Sequence, residues 1–163
     1  MKIGERSIKI KYILSVDPGK ATGVALFSWE LGGEPKLIDS DEVDFSGYAK
    51  FLRDKFDEHS EEPEFHVVCE RFTINAQTVR NSQAPFSLEK IGVLKQILLD
   101  YGLTIDSLHM QSPADAKAMF DNAKLKKLEY WHRGGEGHAL DAIRHGLLYM
   151  VRLGWSPLDR LRS

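Results

Sequence analysis

A single cysteine, Cys69, stands in the 163 residues, so no disulfide can close within the chain and a zinc site built from several thiolates is excluded. A reducing, intracellular setting is the expectation. Long apolar runs are absent as well: nowhere do the roughly 18 consecutive apolar residues of a membrane span occur. The first twenty residues carry Lys2, Arg6, Lys9 and Lys11 without the apolar core of a secretory leader. The chain is therefore expected to be soluble and cytoplasmic. An excess of positive charge is missing too. With 22 Lys+Arg against 24 Asp+Glu, the formal charge is −2 and the pI about 6.3, far from the pI above about 9 of a polycationic nucleic-acid binder. What is present is ordinary: 42% hydrophobic and 28% charged residues lie within the globular range. The length suits one domain over residues 1–163.

The pattern along the chain alternates and then runs apolar over 9–17, breaks at Pro18-Gly19, and resumes over 23–29, which reads as two strands and a tight turn. A third strand spans 36–44. From residue 46 the spacing turns helical, with Tyr48, Phe51, Leu52 and Phe56 on one stripe, until Pro63. Residues 65–70, FHVVCE, form a strand-length apolar run that ends in a carboxylate. A polar stretch over 71–84 reads as an exposed, partly helical loop. A helix over 87–101 follows, with Leu88, Ile91, Leu94 and Leu98 inward, and then a strand over 104–110. Ser112-Pro113-Ala114-Asp115 is a helix-start sequence with a hydroxyl cap. Residues 124–133 read as a loop or broken helix, and the last helix runs over 136–153. This order predicts an α/β fold: a mixed five-stranded sheet, three strands antiparallel and then two parallel, with helices on both faces.

Asp17 ends the first strand and Glu70 the fourth. If the two strands are parallel neighbours, both carboxylates lie at the sheet edge where open α/β sheets bind ligands. His138 and Asp141 are three apart on the last helix and share a face. Asp17 alone also suits a turn-capping aspartate, Glu70 an ordinary strand end, His138 a helix start and Asp141 a satisfied surface acid. Taken together, they make an oxygen-rich set with one nitrogen, suited to hard divalent cations. Paired magnesium or manganese ions about 4 Å apart activate water and stabilise a leaving oxygen in phosphodiester hydrolysis.

The stretches SVDPGKATGVALF (15–27), VVCE (67–70), SPADAKAMF (112–120) and HALDAIRHGLLY (138–149) resemble, in order and spacing, the RuvC family of Holliday-junction resolvases. The small size resembles bacteriophage members. The resemblance implies an RNase H-like fold and a homodimer that nicks four-way junctions with two magnesium or manganese ions per active site. It implies that Asp17 bridges both ions, that Glu70 and Asp141 complete their spheres, and that His138 fills the fourth position, with Glu136 as the poorer substitute. It further implies pairing through residues 82–98. Three other readings stay open. One is a broader nuclease for flaps, forks and bubbles, and another a catalytically silent branched-DNA binder. The third, an actin-like ATPase, requires a second lobe that 163 residues do not supply.

The mild net charge conceals a partition. Residues 30–64 hold 12 acids and 4 bases, whereas the other 128 residues hold 18 bases and 12 acids. The acids are expected to lie away from the site. Lys117, Lys124, Lys126, Lys127 and Arg133 precede the last helix, and Arg71 and Arg80 follow Glu70, so these are the candidate phosphate contacts. Phe72 either stacks on unpaired bases or packs against the next helix. Tyr130 and Trp131 are expected in the core.

Overall fold

The computed structural model describes residues 8–80, 84–134 and 137–163. Three strands come first, β1 (Ile10–Asp17), β2 (Thr22–Glu30) and β3 (Lys36–Val43), followed by helix α1 (Phe45–His59) and strand β4 (Phe65–Glu70). Two helices, α2 (Ala76–Arg80) and α3 (Ala84–Asp100), lead to β5 (Leu108–Gln111). Helices α4 (Pro113–Met119), α5 (Asn122–Lys127), α6 (His138–Arg152) and α7 (Leu158–Arg162) complete the order. The five strands form one sheet in the order β3-β2-β1-β4-β5. β1 pairs antiparallel with β2 and parallel with β4, while β4 pairs parallel with β5. The predicted α/β fold, RNase H-like in its mixed sheet, is therefore the observed one.

Two-residue alternation splits the central strands between two cores. Ile13, Ala25, Phe27 and Trp29 face α4, α5 and α6, where Phe27 meets the Tyr130 ring edge-on at 5.9 Å. Leu14, Val16, Val24 and Leu26 face α1 and α3 through Tyr48, Leu52, Phe56, Leu94 and Leu98. Each large side chain buried in this way contributes about 1.5–3 kcal/mol. Helix α6 lies so deep that eleven of its fifteen residues are buried. Two glycines permit this close approach. A Cβ on Gly23 would stand 1.8 Å from the His138 carbonyl oxygen, and one on Gly146 would stand 2.6 Å from the Phe27 ring. Ser15 Oγ fastens the contact by donating to the Ala142 carbonyl at 2.7 Å.

Several local expectations are corrected. The strand expected over 104–110 starts only at Leu108, because Ser107 turns back on Thr104 through both its amide and its hydroxyl, making a 3-10 turn over Ile105–Ser107. Leu88 is 45% exposed and not inward. Ser112 stands at the start of α4 without a side-chain cap bond, while Pro113 and the first-turn Asp115 mark that start as expected. The doubtful 124–133 segment contains a true helix, α5, because the Asp121 side chain accepts from the Lys124 amide at 2.8 Å. The α7 helix had no periodic signal in so short a stretch. Tyr130 is buried and Trp131 packs against the same core, as expected.

Candidate active site

The parallel pairing of β1 with β4, in register from Tyr12↔Phe65 to Val16↔Cys69, brings Asp17 and Glu70 to neighbouring strand ends. Gln111 ends β5 at the same edge, paired with Glu70. The turn after Asp17 is closed by Thr22 Oγ1 donating to the Gly19 carbonyl at 3.1 Å and tied to α3 by Ser87 Oγ donating to the Pro18 carbonyl at 3.1 Å. Helix α6 then starts against Gly23, which carries His138 and Asp141 over this edge. The result is a cavity of about 830 Å³ lined by Asp17, Glu42, Glu70, Phe72, His138 and Asp141 among others.

Within it, ligand atoms of Asp17, His138 and Asp141 all lie within 4.8 Å of one another. Asp17 is 6% exposed, and its Oδ2 stands 3.2 Å from His138 Nδ1. Burial, reinforced by the charges of Glu70 and Asp141 and opposed by the His138 bond, pushes the Asp17 carboxyl up to about 6. The same bond to Asp17 raises His138 above its ordinary value. Asp141 Oδ1 accepts from Arg144 Nη1 at 2.6 Å, while its Oδ2 faces Lys117 Nζ at 3.7 Å. Glu70 stands apart from the three, its Oε2 at 2.9 Å from His145 Nε2. Two carboxylates and an imidazole this close, one carboxyl already protonating near neutrality, form a donor set that a hard divalent cation fits.

The structure thus brings together three of the four proposed ligands and sets Glu70 on the same cavity wall with a separate partner. Glu136 lies outside the described residues. Of the basic residues, Lys117 faces the site. Lys124 donates to the Met119 carbonyl at 3.0 Å, Lys126 sits 4.6 Å over the Trp131 ring, and Lys127 donates to the Leu161 carbonyl at 2.7 Å. Arg71, Arg80 and Arg133 are exposed, and Arg71 borders a second cavity of about 410 Å³ with His109, Tyr149 and Arg152. Phe72 is half-buried against the α1/α3 core while lining the site, so both of its readings describe part of its position.

One charge expectation is overturned. Glu42 lies at the site, accepting from the His138 amide at 3.2 Å, because β3 runs antiparallel to β2 and pairs Glu42 with Gly23. Sequence reasoning also passed over Arg144 and His145. The signal was in the helix itself: residues 138, 141 and 145 share one α6 face at spacings of three and four. Arg144 is 8% exposed and joins Asp141 to the Phe120 carbonyl at 2.7 Å and to the Asn122 side chain.

No protein-family model matches the chain, and no curated protein matches it by sequence. Solved structures do match its fold. Thermus thermophilus RuvC in complex with a Holliday junction substrate superposes with a TM-score of 0.65 at 14% identity, over 88% of this chain and 96% of that one. The fold is that of RuvC-type resolvases. A second RuvC structure from the same organism gives the same TM-score at 15% identity. The fowlpox virus Holliday junction resolvase matches with a TM-score of 0.50 at 18% identity, over 87% of this chain and 99% of that one. In this RuvC-like chain, the first strand, the fourth strand and the last long helix are the elements that carry the acidic set. Among the described residues, no helix is long and apolar enough to cross a membrane.

Proposed function

We propose that the chain is a divalent-metal-dependent endodeoxyribonuclease that acts in the cytoplasm on Holliday junctions and other branched DNA, as a homodimer. The observation that carries this reading is the Asp17, His138 and Asp141 group on a RuvC-type sheet edge, with Glu70 on the same cavity wall. Asp17, His138 and Asp141 would hold one magnesium or manganese ion, and Asp17 with Glu70 a second. Bound ions of this kind lower the pKa of water and offset charge on phosphate oxygens. In the reaction a water oxygen bonds to phosphorus, the bond to the 3′ oxygen breaks, and that oxygen takes a proton, leaving a 5′-phosphate and a 3′-hydroxyl.

The chain's own groups divide the remaining work. Arg144 and Lys117 hold Asp141 between them, and Glu42 fixes the start of α6. Lys117 at the cavity, and Arg71, Arg80, Lys124, Lys126, Lys127 and Arg133 elsewhere on the chain, would contact phosphates without reading sequence. Phe72 at the cavity wall would stack on an unpaired base. Exposed Ile74, Val79, Phe86 and Leu88, around the segment after Glu70 and the start of α3, give a second copy an apolar surface to cover. The pairing expected through residues 82–98 begins at positions outside the described residues.

The deciding experiment incubates the parent, Asp17→Asn and Asp141→Asn with labelled four-way junction, flap, fork and bubble DNA in magnesium and in manganese. Both variants should lose at least about a thousandfold in rate, on the order of 4 kcal/mol of barrier, while still binding the junction. Parental rates in both variants would remove the site. Binding without cleavage by the parent would favour the silent branched-DNA binder, and faster cutting of flaps or forks would favour the broader nuclease.

A further inference from the structure

Glu70 ends β4 beside a chain of polar groups, buried at His145 and Gln111, that the acidic set itself does not require. His145 is 1% exposed, and its Nε2 lies 2.9 Å from Glu70 Oε2. On its other side, His145 Nδ1 is 3.3 Å from Gln111 Nε2, which also donates to the His145 carbonyl at 2.9 Å. Gln111, 2% exposed, accepts at Oε1 from Arg152 Nη1 at 2.9 Å. A guanidinium can only donate, so Arg152 identifies the Gln111 oxygen and leaves the amide nitrogen facing His145. An amide nitrogen also only donates, so His145 Nδ1 accepts. The ring proton must then sit on Nε2, directed at Glu70. The donors run in one direction: Arg152 to Gln111, Gln111 to His145, His145 to Glu70.

We infer that His145 is a positioning residue that holds the Glu70 carboxylate at a fixed place on the cavity wall and thereby sets the affinity of the site for its divalent cation. This rests on the nuclease reading above. The physical need is plain, because Glu70 and Asp17 repel one another and a strand-end glutamate has three rotatable bonds. Without an anchor, Glu70 would swing out toward water, and each ion bound would have to bring it back. A histidine anchor whose own tautomer is fixed from behind removes that cost, as outer partners of metal ligands do elsewhere. An apolar residue at 145 would fill the same space and hold nothing.

The test compares His145→Gln, whose terminal amide can donate from near the Nε2 position, with the shorter His145→Asn, which cannot reach Glu70. Both are polar and suit a buried site with Gln111 as neighbour. Manganese binding to the DNA-free protein is measured by calorimetry, and the manganese giving half-maximal junction cleavage is measured beside it. His145→Asn should weaken manganese binding by about tenfold or more, with the junction KM unchanged, while His145→Gln stays within about threefold of the parent. In a Glu70→Gln background, His145→Asn should add less than about twofold, since both changes act on one ligand. Equal manganese affinities for the Asn variant and the parent would overturn the inference and leave the nuclease reading standing. So would effects that multiply in the double variant. Parental metal binding and cleavage in Glu70→Gln alone would remove Glu70 as a ligand, which ends this inference and the two-ion part of the proposed function together.

Discussion

Just before β4, Glu64 accepts from Lys11 Nζ and His66 Nε2, each at 2.9 Å, and chiefly the Lys11 bond holds its carboxyl down to about 2. His66 continues to the Tyr149 hydroxyl at 2.8 Å. At the far end of the same parallel pair, Asp17 is buried with Glu70 and Asp141 for neighbours, and its carboxyl is pushed up to about 6. Both ends gather carboxylate, histidine and a residue of α6. They differ in balance: at one end Glu64 has a lysine and a histidine for partners and is held low, while at the other burial and the charges of Glu70 and Asp141 push Asp17 up. A charged cluster marks a binding site when the fold tolerates its imbalance, since unpaired charge is retained only at a cost.

The largest way to break this contrast is Gly23→Ala, whose Cβ would collide with the α6 start. A destabilisation of about 3 kcal/mol is expected, read by denaturant unfolding, together with loss of junction cleavage as His138 is displaced. Adding manganese at a hundred times its dissociation constant should stabilise the parent by about 2.7 kcal/mol and Asp17→Asn far less, measured as thermal midpoints. In chelator the order reverses. A carboxyl that titrates near 6 when folded and at its ordinary 3.8 when unfolded binds its proton more tightly in the folded chain. Its contribution is full below pH 3.8 and lost as pH rises through about 6. Asp17→Asn should therefore be more stable than the metal-free parent at pH 7.5, by roughly 2–3 kcal/mol, with the gap closing below pH 4.

The smallest effect belongs to the balanced end. Glu64 titrates lower when folded than its ordinary 4.5, so its contribution is present above that value and fades as pH falls toward 2. Glu64→Gln should cost no more than the roughly 0–1 kcal/mol of a partly exposed pair at pH 7, less at pH 3, and leave cleavage unchanged. A large loss of cleavage in that variant would erase the distinction between the ends.

The two ends were not equally legible beforehand. Asp17 and Glu70 could be found because a strand that stops at an acid is a local pattern, and His138 with Asp141 because three-residue spacing on a helix is local as well. Strand order followed from which segments have helices between them. Glu42 escaped because its place depends on the β2/β3 register, which the sheet decides across the chain and which also shifts between Leu26 and Phe27. The separate hold on Glu70 escaped because His145 sits 75 residues away from it. The 3-10 turn before β5 and the short α7 escaped because three to five residues carry no readable period.

The seating of α6 against Gly23 and Gly146 has a consequence for the order in which the site is completed. Asp17 and His138 are 121 positions apart in the chain, so on the ribosome the first is made long before the second. All five strands, α1 and α3 precede α6 in the chain, so they are made while the sheet edge still lacks its histidine and its second aspartate. Only when the deeply inserted helix docks do the ligands meet. On the proposed reading, competence to nick would come only with that docking, and a chain interrupted before His138 would lack two of the ligands.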